Sequence, residues 1–164
     1  KSCLKKRKNF TFYKIDLKNV LDLKKKLSKF NIESIVHLAA MPGIIDCNKN
    51  ISKAFNDNIL STINIFNLSE NLNIKKIFYF SSLSTYNFIK NPHIYALTKK
   101  FSQDIAVTQN KYLKRNSCCI NLSNVYGEFS ENKNSFIHMM IKAEVFKKVL
   151  NVYNKGFQKR DFRV

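Results

Sequence analysis

The sequence predicts an α/β protein built on a doubly wound parallel sheet, and three observations carry that expectation. Short apolar runs rich in Ile, Val and Phe alternate with longer segments of helical periodicity. The apolar runs are near-continuous, as strands buried on both faces require. The polar residues of interest fall just after those runs, at the strand ends where such sheets bind ligands.

In chain order, "FTFYKID" (10–16) reads as a strand that ends on Asp16. "LKNVLDLKKKLSKF" (17–30) is an amphipathic helix with Leu17, Val20, Leu21, Leu23, Leu27 and Phe30 inward and its lysines outward. "SIVHLAA" (34–40) is the second strand, followed by a long helix over 51–73. Within that helix Phe55, Ile59, Ile63 and Phe66 keep helical spacing, which suits packing on the sheet more than a surface contact. "KKIFYFSS" (75–82) is the third strand, 95–114 a helix, and "SCCINLS" (117–123) a buried fourth strand. A helix over 134–148, a short strand at "VLNVY" (149–153) and a turn at "NKG" (154–156) complete the reading. No repeat, linker or low-complexity tract interrupts it.

At 164 residues and 45% hydrophobic content, one sizeable core is expected and disorder is excluded. The formal charge of +18 invites a polyanion-binding reading. Lysine supplies nearly all of it, however, alongside abundant Asn, Ile and Phe, four residue types that share A/T-rich codons. The chain has only four arginines, whereas bidentate Arg is usual on surfaces that read phosphate. Codon bias therefore accounts for the composition, and nucleic-acid binding is disfavoured. Cys3, Cys47, Cys118 and Cys119 form no C-x-x-C, which suggests reduced thiols, no metal site and a cytoplasmic setting. No apolar run approaches the roughly 18 residues of a membrane span, and no signal peptide is visible.

Tyr95 and Lys99 in "HIYALTKKFSQ" (93–103) are four apart, so a helix sets them side by side. A lysine ammonium there favours the phenolate and lowers the tyrosine pKa from about 10. Reaching neutrality takes about three units, roughly 4 kcal/mol, which asks for a second positive charge in a dry cleft. Such a tyrosine is a general base for a sugar or alcohol hydroxyl, and Ser82 at the end of "KKIFYFSS" can orient it. Taken alone, other positions have plainer readings. Asp16 caps the helix that begins at Leu17, Ser82 is a solvated hydroxyl, and Asn58 faces solvent. His37 is structural, His93 and His138 lie on the surface, Met139–Met140 pack in a core, and Arg160 is one charge among many.

Seven stretches in order over nearly the whole chain resemble one family: "FTFYKIDL", "SIVHLAAMPGI", "NDNILSTINIFNL", "KKIFYFSSLSTYN", "YALTKK", "INLSNVYGE" and "VYNKGFQKRDF". The chain resembles extended short-chain dehydrogenase/reductases of the NAD-dependent epimerase/dehydratase family, in particular nucleotide-sugar epimerases of the UDP-glucuronate 4-epimerase type. The resemblance implies a Rossmann-like fold, with a partial NAD(P)-binding domain over 1–148 and the start of a substrate-binding portion over 149–164. It implies that Tyr95 is the base, that Lys99 holds the nicotinamide ribose and tunes Tyr95, and that Ser82 bonds the reacting hydroxyl. The nicotinamide is the second positive charge that the pair requires. By the same resemblance Asp16 and Leu17 contact the adenine, Leu38, Ala39 and Ala40 pass along the cofactor, and Asn58 lies near it. Asn124 sits beside the substrate phosphates and Arg160 grips the diphosphate. Similar enzymes oxidise the sugar at C4 with bound NAD and pair as homodimers through the helices corresponding to 51–73 and 95–114. NAD against NADP stays open.

The chain also departs from the pattern. Gly43, Gly127 and Gly156 form no G-x-x-G-x-x-G, so the Gly-rich βαβ start is lacking, as is most of the C-terminal substrate domain. The chain is accordingly expected to be an internal portion of a longer protein. Only 12 residues separate Ser82 from Tyr95, a segment shorter than in similar enzymes, and Asn121 and Glu128 replace a usual Arg and Pro. A nucleotide-sugar 4,6-dehydratase or reductase is the alternative chemistry. Dehydratases add an acidic pair after the hydroxyl, where this chain has Leu83 and Ser84, which favours epimerase or reductase. A non-catalytic Rossmann-like protein or basic binding module is the alternative of another class.

Overall fold

The computed structural model describes residues 8–114, 116–128, 130, 135–152, 154–157 and 162–163. The chain divides into two compact units, Lys1–Ile120 and Asn121–Val164. The first contains α1 (Val20–Leu27), β1 (Ser34–His37), α2 (Ile44–Lys49) and α3 (Ile51–Phe55). A π-helical turn (Asn56–Leu60) then leads into α4 (Ser61–Asn71), β2 (Lys76–Ser82), a 3-10 turn (Leu83–Thr85) and α5 (Ile94–Leu113). β3 (Asn116–Leu122) completes a sheet of order β1-β2-β3, in which β1 and β2 run parallel with Val36 opposite Phe78. The second unit contains β4 (Asn124–Val125), α6 (Phe136–Val145), a 3-10 turn (Asn154–Gly156) and β5 (Phe162–Arg163), with β4 and β5 parallel.

The core of the first unit lies where α4 and α5 cross β2. Phe66, Ile77, Tyr79 and Ala106 are buried together, with Ile35, Ile105 and Cys119 packed against them. Burying Phe66 or Ile77 contributes about 2–3 kcal/mol each. His37 belongs to this layer at 3% exposure. Thr62 donates its hydroxyl to the Asn58 carbonyl, so its oxygen accepts from His37 Nε2 at 3.0 Å and fixes a neutral tautomer. Burial, reinforced by the positive charge of Lys99, pushes the His37 pKa down to about 4. The unfolded chain thus takes up a proton near pH 6.5 that the folded chain refuses until about pH 4. Stability is expected to fall by about 3 kcal/mol as pH drops through that window, and His37→Gln should remove the slope in urea titrations.

The structure corrects several expectations. Residues 10–16 form no strand, and Phe12 is 55% exposed. A strand needs a partner ladder, and β1 is the outer strand of the sheet among the described residues. The first helix begins at Val20, capped by Asn19, whose Oδ1 accepts from Asp22 N, so Asp16 is not its cap. Of its expected inward residues only Leu23 is buried, and Leu21 and Phe30 are exposed. The long helix is three pieces, with Phe55 exposed and Ile59 and Phe66 buried. Cys118 is exposed and Cys119 half-buried, so β3 is less enclosed than a two-faced strand. Residues 149–152 form no strand, and Met139 and Met140 of α6 are exposed rather than packed. The short helix α2 had no expectation behind it. Its six residues offer too little periodicity to be seen.

Candidate functional site

The carboxyl end of β2 and the first turns of α5 form the site. Ser82 leaves the strand at φ −143° and starts the 3-10 turn. Its Oγ accepts from Ser84 N at 3.3 Å and lies 3.0 Å from Ser84 Oγ, while its carbonyl accepts from Thr85 Oγ1 at 2.8 Å. These bonds hold the Ser82 hydroxyl beside the Tyr95 phenol, whose pKa it lowers. Burial is the larger influence and pushes Tyr95 up, with the nearby Cys47 thiol adding to it. The protein alone therefore keeps Tyr95 a neutral phenol, opposite to the shift a base needs.

Lys99 lies one turn along α5 and is 6% exposed. Its Nζ donates to Phe80 O at 2.7 Å and stands 5.1 Å over the Tyr79 ring. Burial pushes its pKa down to about 8. An ammonium has three donors, and Phe80 O is its one hydrogen-bond acceptor among the described residues. The remaining donors suit ribose hydroxyls.

His93, expected on the surface, instead organises this corner. Its Nδ1 accepts from Ala96 N at 3.0 Å and caps α5, and its ring stacks on Tyr95 at 6.2 Å between centroids and 6° between planes. A His directly before a helix is a weak capping signal, which is why the sequence did not point to it. His138 is also not a surface residue. It is 9% exposed, with Ser130 Oγ 2.7 Å from Nε2 and Ser135 Oγ 2.6 Å from Nδ1.

Asn58 is buried, not solvent-facing. Its Oδ1 accepts from Met41 N at 2.6 Å, and its Nδ2 donates to Met41 O at 3.3 Å and Thr98 Oγ1 at 2.9 Å. It thereby pins the segment after β1, in which Leu38 and Ala39 are exposed and Ala40 half-buried, to the helix that carries Tyr95 and Lys99. The π-helical turn makes this possible. Widening a turn frees carbonyls from the helix ladder, and here hydroxyls take them up. Ser61 donates to Asp57 O, and Thr62 and Ser102 donate to Asn58 O at 2.6 and 2.9 Å.

Asp16 is exposed and accepts from Lys18 N at 3.0 Å through Oδ1. That bond is the main cause of a carboxyl pKa below its usual value. The half-buried Leu17 presents its carbonyl to Asn64 Nδ2 at 3.0 Å. Asn124 opens β4 in the second unit, paired in register with Phe162. Arg160 lies outside the described residues, as does Cys3. The first unit thus brings together Ser82, Tyr95 and Lys99 at one strand end. Asn58 and the 38–40 segment are linked to them through Met41 and Thr98.

The unused donors of the buried Lys99 fit the nicotinamide-ribose end of a dinucleotide, but none of the chain's glycines forms a Gly-rich cradle for its phosphates. No described helix is long and apolar enough to cross a membrane.

The chain matches the model of the NAD dependent epimerase/dehydratase family over residues 1–163. A UDP-glucuronate 4-epimerase of Thermodesulfobacterium geofontis is 29% identical over 170 residues, covering 97% of this chain and 52% of the relative. Among solved structures, a UDP-glucuronic acid 4-epimerase from Bacillus cereus in complex with UDP-glucuronic acid and NAD superposes at a TM-score of 0.83. It is 24% identical, and the match covers 97% of this chain and 53% of that one. A UDP-N-acetylglucosamine 4-epimerase from Methanobrevibacter ruminantium gives a TM-score of 0.85 at 24% identity, over 96% and 55% of the two chains. At these identities the superpositions establish the Rossmann-type fold. The chain spans about half the length of the relatives it matches.

Proposed function

The chain belongs to the NAD-dependent epimerase/dehydratase family, and from that premise we propose that it contains the catalytic strand end of a nucleotide-sugar 4-epimerase. The observation that carries this reading is the juxtaposition of Ser82, Tyr95 and a nearly fully buried Lys99, a costly place for a cation that a purely structural helix has no reason to keep. Bound NAD would accept the hydride from sugar C4 and return it to the opposite face. Tyr95 takes the proton of the C4 hydroxyl and gives it back on the return. Ser82, itself fixed by Ser84, orients that hydroxyl. Lys99 holds the nicotinamide ribose, and with the adjoining positive nicotinamide it offsets the burial that keeps Tyr95 neutral. Asp16 and Leu17 receive the adenine, the backbone of Leu38, Ala39 and Ala40 lines the cofactor, and Asn58 supports that segment. Asn124 and Arg160 meet the substrate diphosphate.

In this reading residues 1–148 are a partial cofactor-binding domain and 149–164 open the substrate-binding portion, within a cytoplasmic protein. Exposed Phe55 and Leu60 on one long helical segment and Phe101 and Val107 on α5 support a homodimer through 51–73 and 95–114. Leu83 and Ser84, where a dehydratase would carry an acidic pair, favour epimerisation.

The test uses the whole protein with UDP-glucuronate, UDP-glucose and UDP-N-acetylglucosamine deuterated at C4. Proton NMR is expected to show one of them converted to its C4 epimer with the deuterium retained. Loss of the label to solvent, or no epimer and no dinucleotide binding, would overturn the reading.

A further inference from the structure

One cluster in the first unit is not used by that chemistry. Asp57, in the π-helical turn, is the meeting point of two lysines. Lys18 Nζ donates to its Oδ1 at 2.6 Å, and Lys53 Nζ to its Oδ2. Lys18 also reaches Asp16 Oδ2 at 3.3 Å, and its backbone N–H binds Asp16 Oδ1. Asn64, two turns further along, donates its side-chain amide to Leu17 O and Lys18 O at 3.0 and 3.3 Å. The short loop Asp16–Lys18 has no strand behind it, because residues 10–15 pair with nothing in the described sheet. What ties the loop to the 53–64 segment is this side-chain network, beside the packing of the adjoining α1 on α4. Its partners all stand on the segment whose next residue, Asn58, pins the run after β1.

The geometry points to Asp57 as a positioning residue for the adenine end of the cofactor, acting through Lys18 on Asp16 and Leu17; the inference rests on the proposed dinucleotide site. Asp57 and Asn58 are consecutive and serve opposite loops. Asp57 sets the loop expected to meet the adenine, and Asn58 sets the run expected to follow the cofactor towards the nicotinamide. Two neighbouring residues on a rigid, hydroxyl-braced turn thus fix the separation of the two ends of the site. The four alternating charges of Asp16, Lys18, Asp57 and Lys53 sum to zero, so the network holds the loop without adding a net charge where a neutral base would lie. Asp57 and Lys18 each have two ion-pair partners, and Asp57 has the least exposed side chain of the four, at 19%.

The experiment compares the whole wild-type protein with Asp57→Asn, Lys18→Met and the double variant, using NAD+, AMP and nicotinamide mononucleotide in calorimetric titrations. Asp57→Asn is expected to weaken NAD+ and AMP by the same factor, about five- to tenfold at low salt, with nicotinamide mononucleotide unchanged. The double variant should lose no more than Lys18→Met alone, since Asp57 acts through the Lys18 contact that both single changes break. Hydrogen exchange at the Lys18 and Asn19 amides should quicken about tenfold in Asp57→Asn without NAD+ present, while amides of β2 keep their protection. The loss should shrink in high salt as the exposed pairs are screened. Unchanged AMP affinity in Asp57→Asn, or additive losses in the double variant, would overturn the inference while leaving the dinucleotide site standing. A wild-type protein that binds none of the three ligands would overturn the proposed function, and this inference with it.

Discussion

Replacing Tyr95 by Phe is expected to lower epimerase turnover by about three orders of magnitude, with substrate and cofactor binding nearly intact. General acid–base transfer by a positioned side chain contributes about 10²–10⁴, and Tyr95 has no understudy for it. Ser82 is the nearest hydroxyl, but it is engaged by Ser84 and has a far higher intrinsic pKa. The ring stays stacked on His93 in the variant, because stacking needs only the aromatic face. A drop in kcat with KM little changed, and a thermal midpoint at least as high as wild type, is the signature. Burial raises the wild-type phenol pKa, so the acidic limb of the free-enzyme profile, where the base is protonated, should lie at high pH and move down when dinucleotide is bound. A rise in KM with kcat little changed would mean that Tyr95 holds substrate instead of moving its proton.

Lys99→Met is expected to produce the opposite pairing of effects: a more stable protein with little activity. Lys99 has a folded pKa of about 8 against an unfolded value near 10.4, so the unfolded chain binds more protons between those values. Stability therefore rises with pH through that window, and below pH 8 the folded state carries the full cost of a buried ammonium, about 3 kcal/mol. Methionine removes that cost and also the hydrogen bond to Phe80 O and the contact with the Tyr79 ring, together about 1–2 kcal/mol. A net gain of about 1–2 kcal/mol at pH 7 should appear in urea titrations, vanish at about pH 9 and turn into a loss above about pH 10. Turnover should fall by about 10²-fold or more as Tyr95 loses its charged neighbour and the ribose its anchor. Destabilisation at pH 7 would show that Lys99 is held there for the fold.

These two residues were legible in the sequence because their relation is local: four positions on a helix decide who stands beside whom. Ser82 was legible for a similar reason, since a strand of seven residues must end near it. The sign of the Tyr95 shift was not legible. It depends on burial, on the Cys47 thiol and on the Ser82 hydroxyl at the end of β2, which come together around Tyr95 only in three dimensions. Asn58 failed in the same way. Read along one helix it faced outward, whereas the widened turn beneath it rolls it inward to Met41 and Thr98. Residues 10–16 have every local mark of a strand, and what they lack is a ladder partner, which no local pattern reports. His93 and His138 were misread because a lone histidine carries no periodic signal. Their partners are a ring, a helix end and two serines.

The turn at Asn56–Leu60 also sets a limit on how the gene can vary. An α-helix advances about 100° per residue, and a five-residue turn of the wider kind absorbs about one residue more than the α pitch. Everything on α3 is thereby out of phase with α4 by that angle. Substitutions inside the turn alter one contact at a time. Deletion of a single residue there would restore the regular pitch and swing Asp57 and Asn58 away from both loops at once. Across homologous chains this stretch should accept changes of residue far more readily than changes of length.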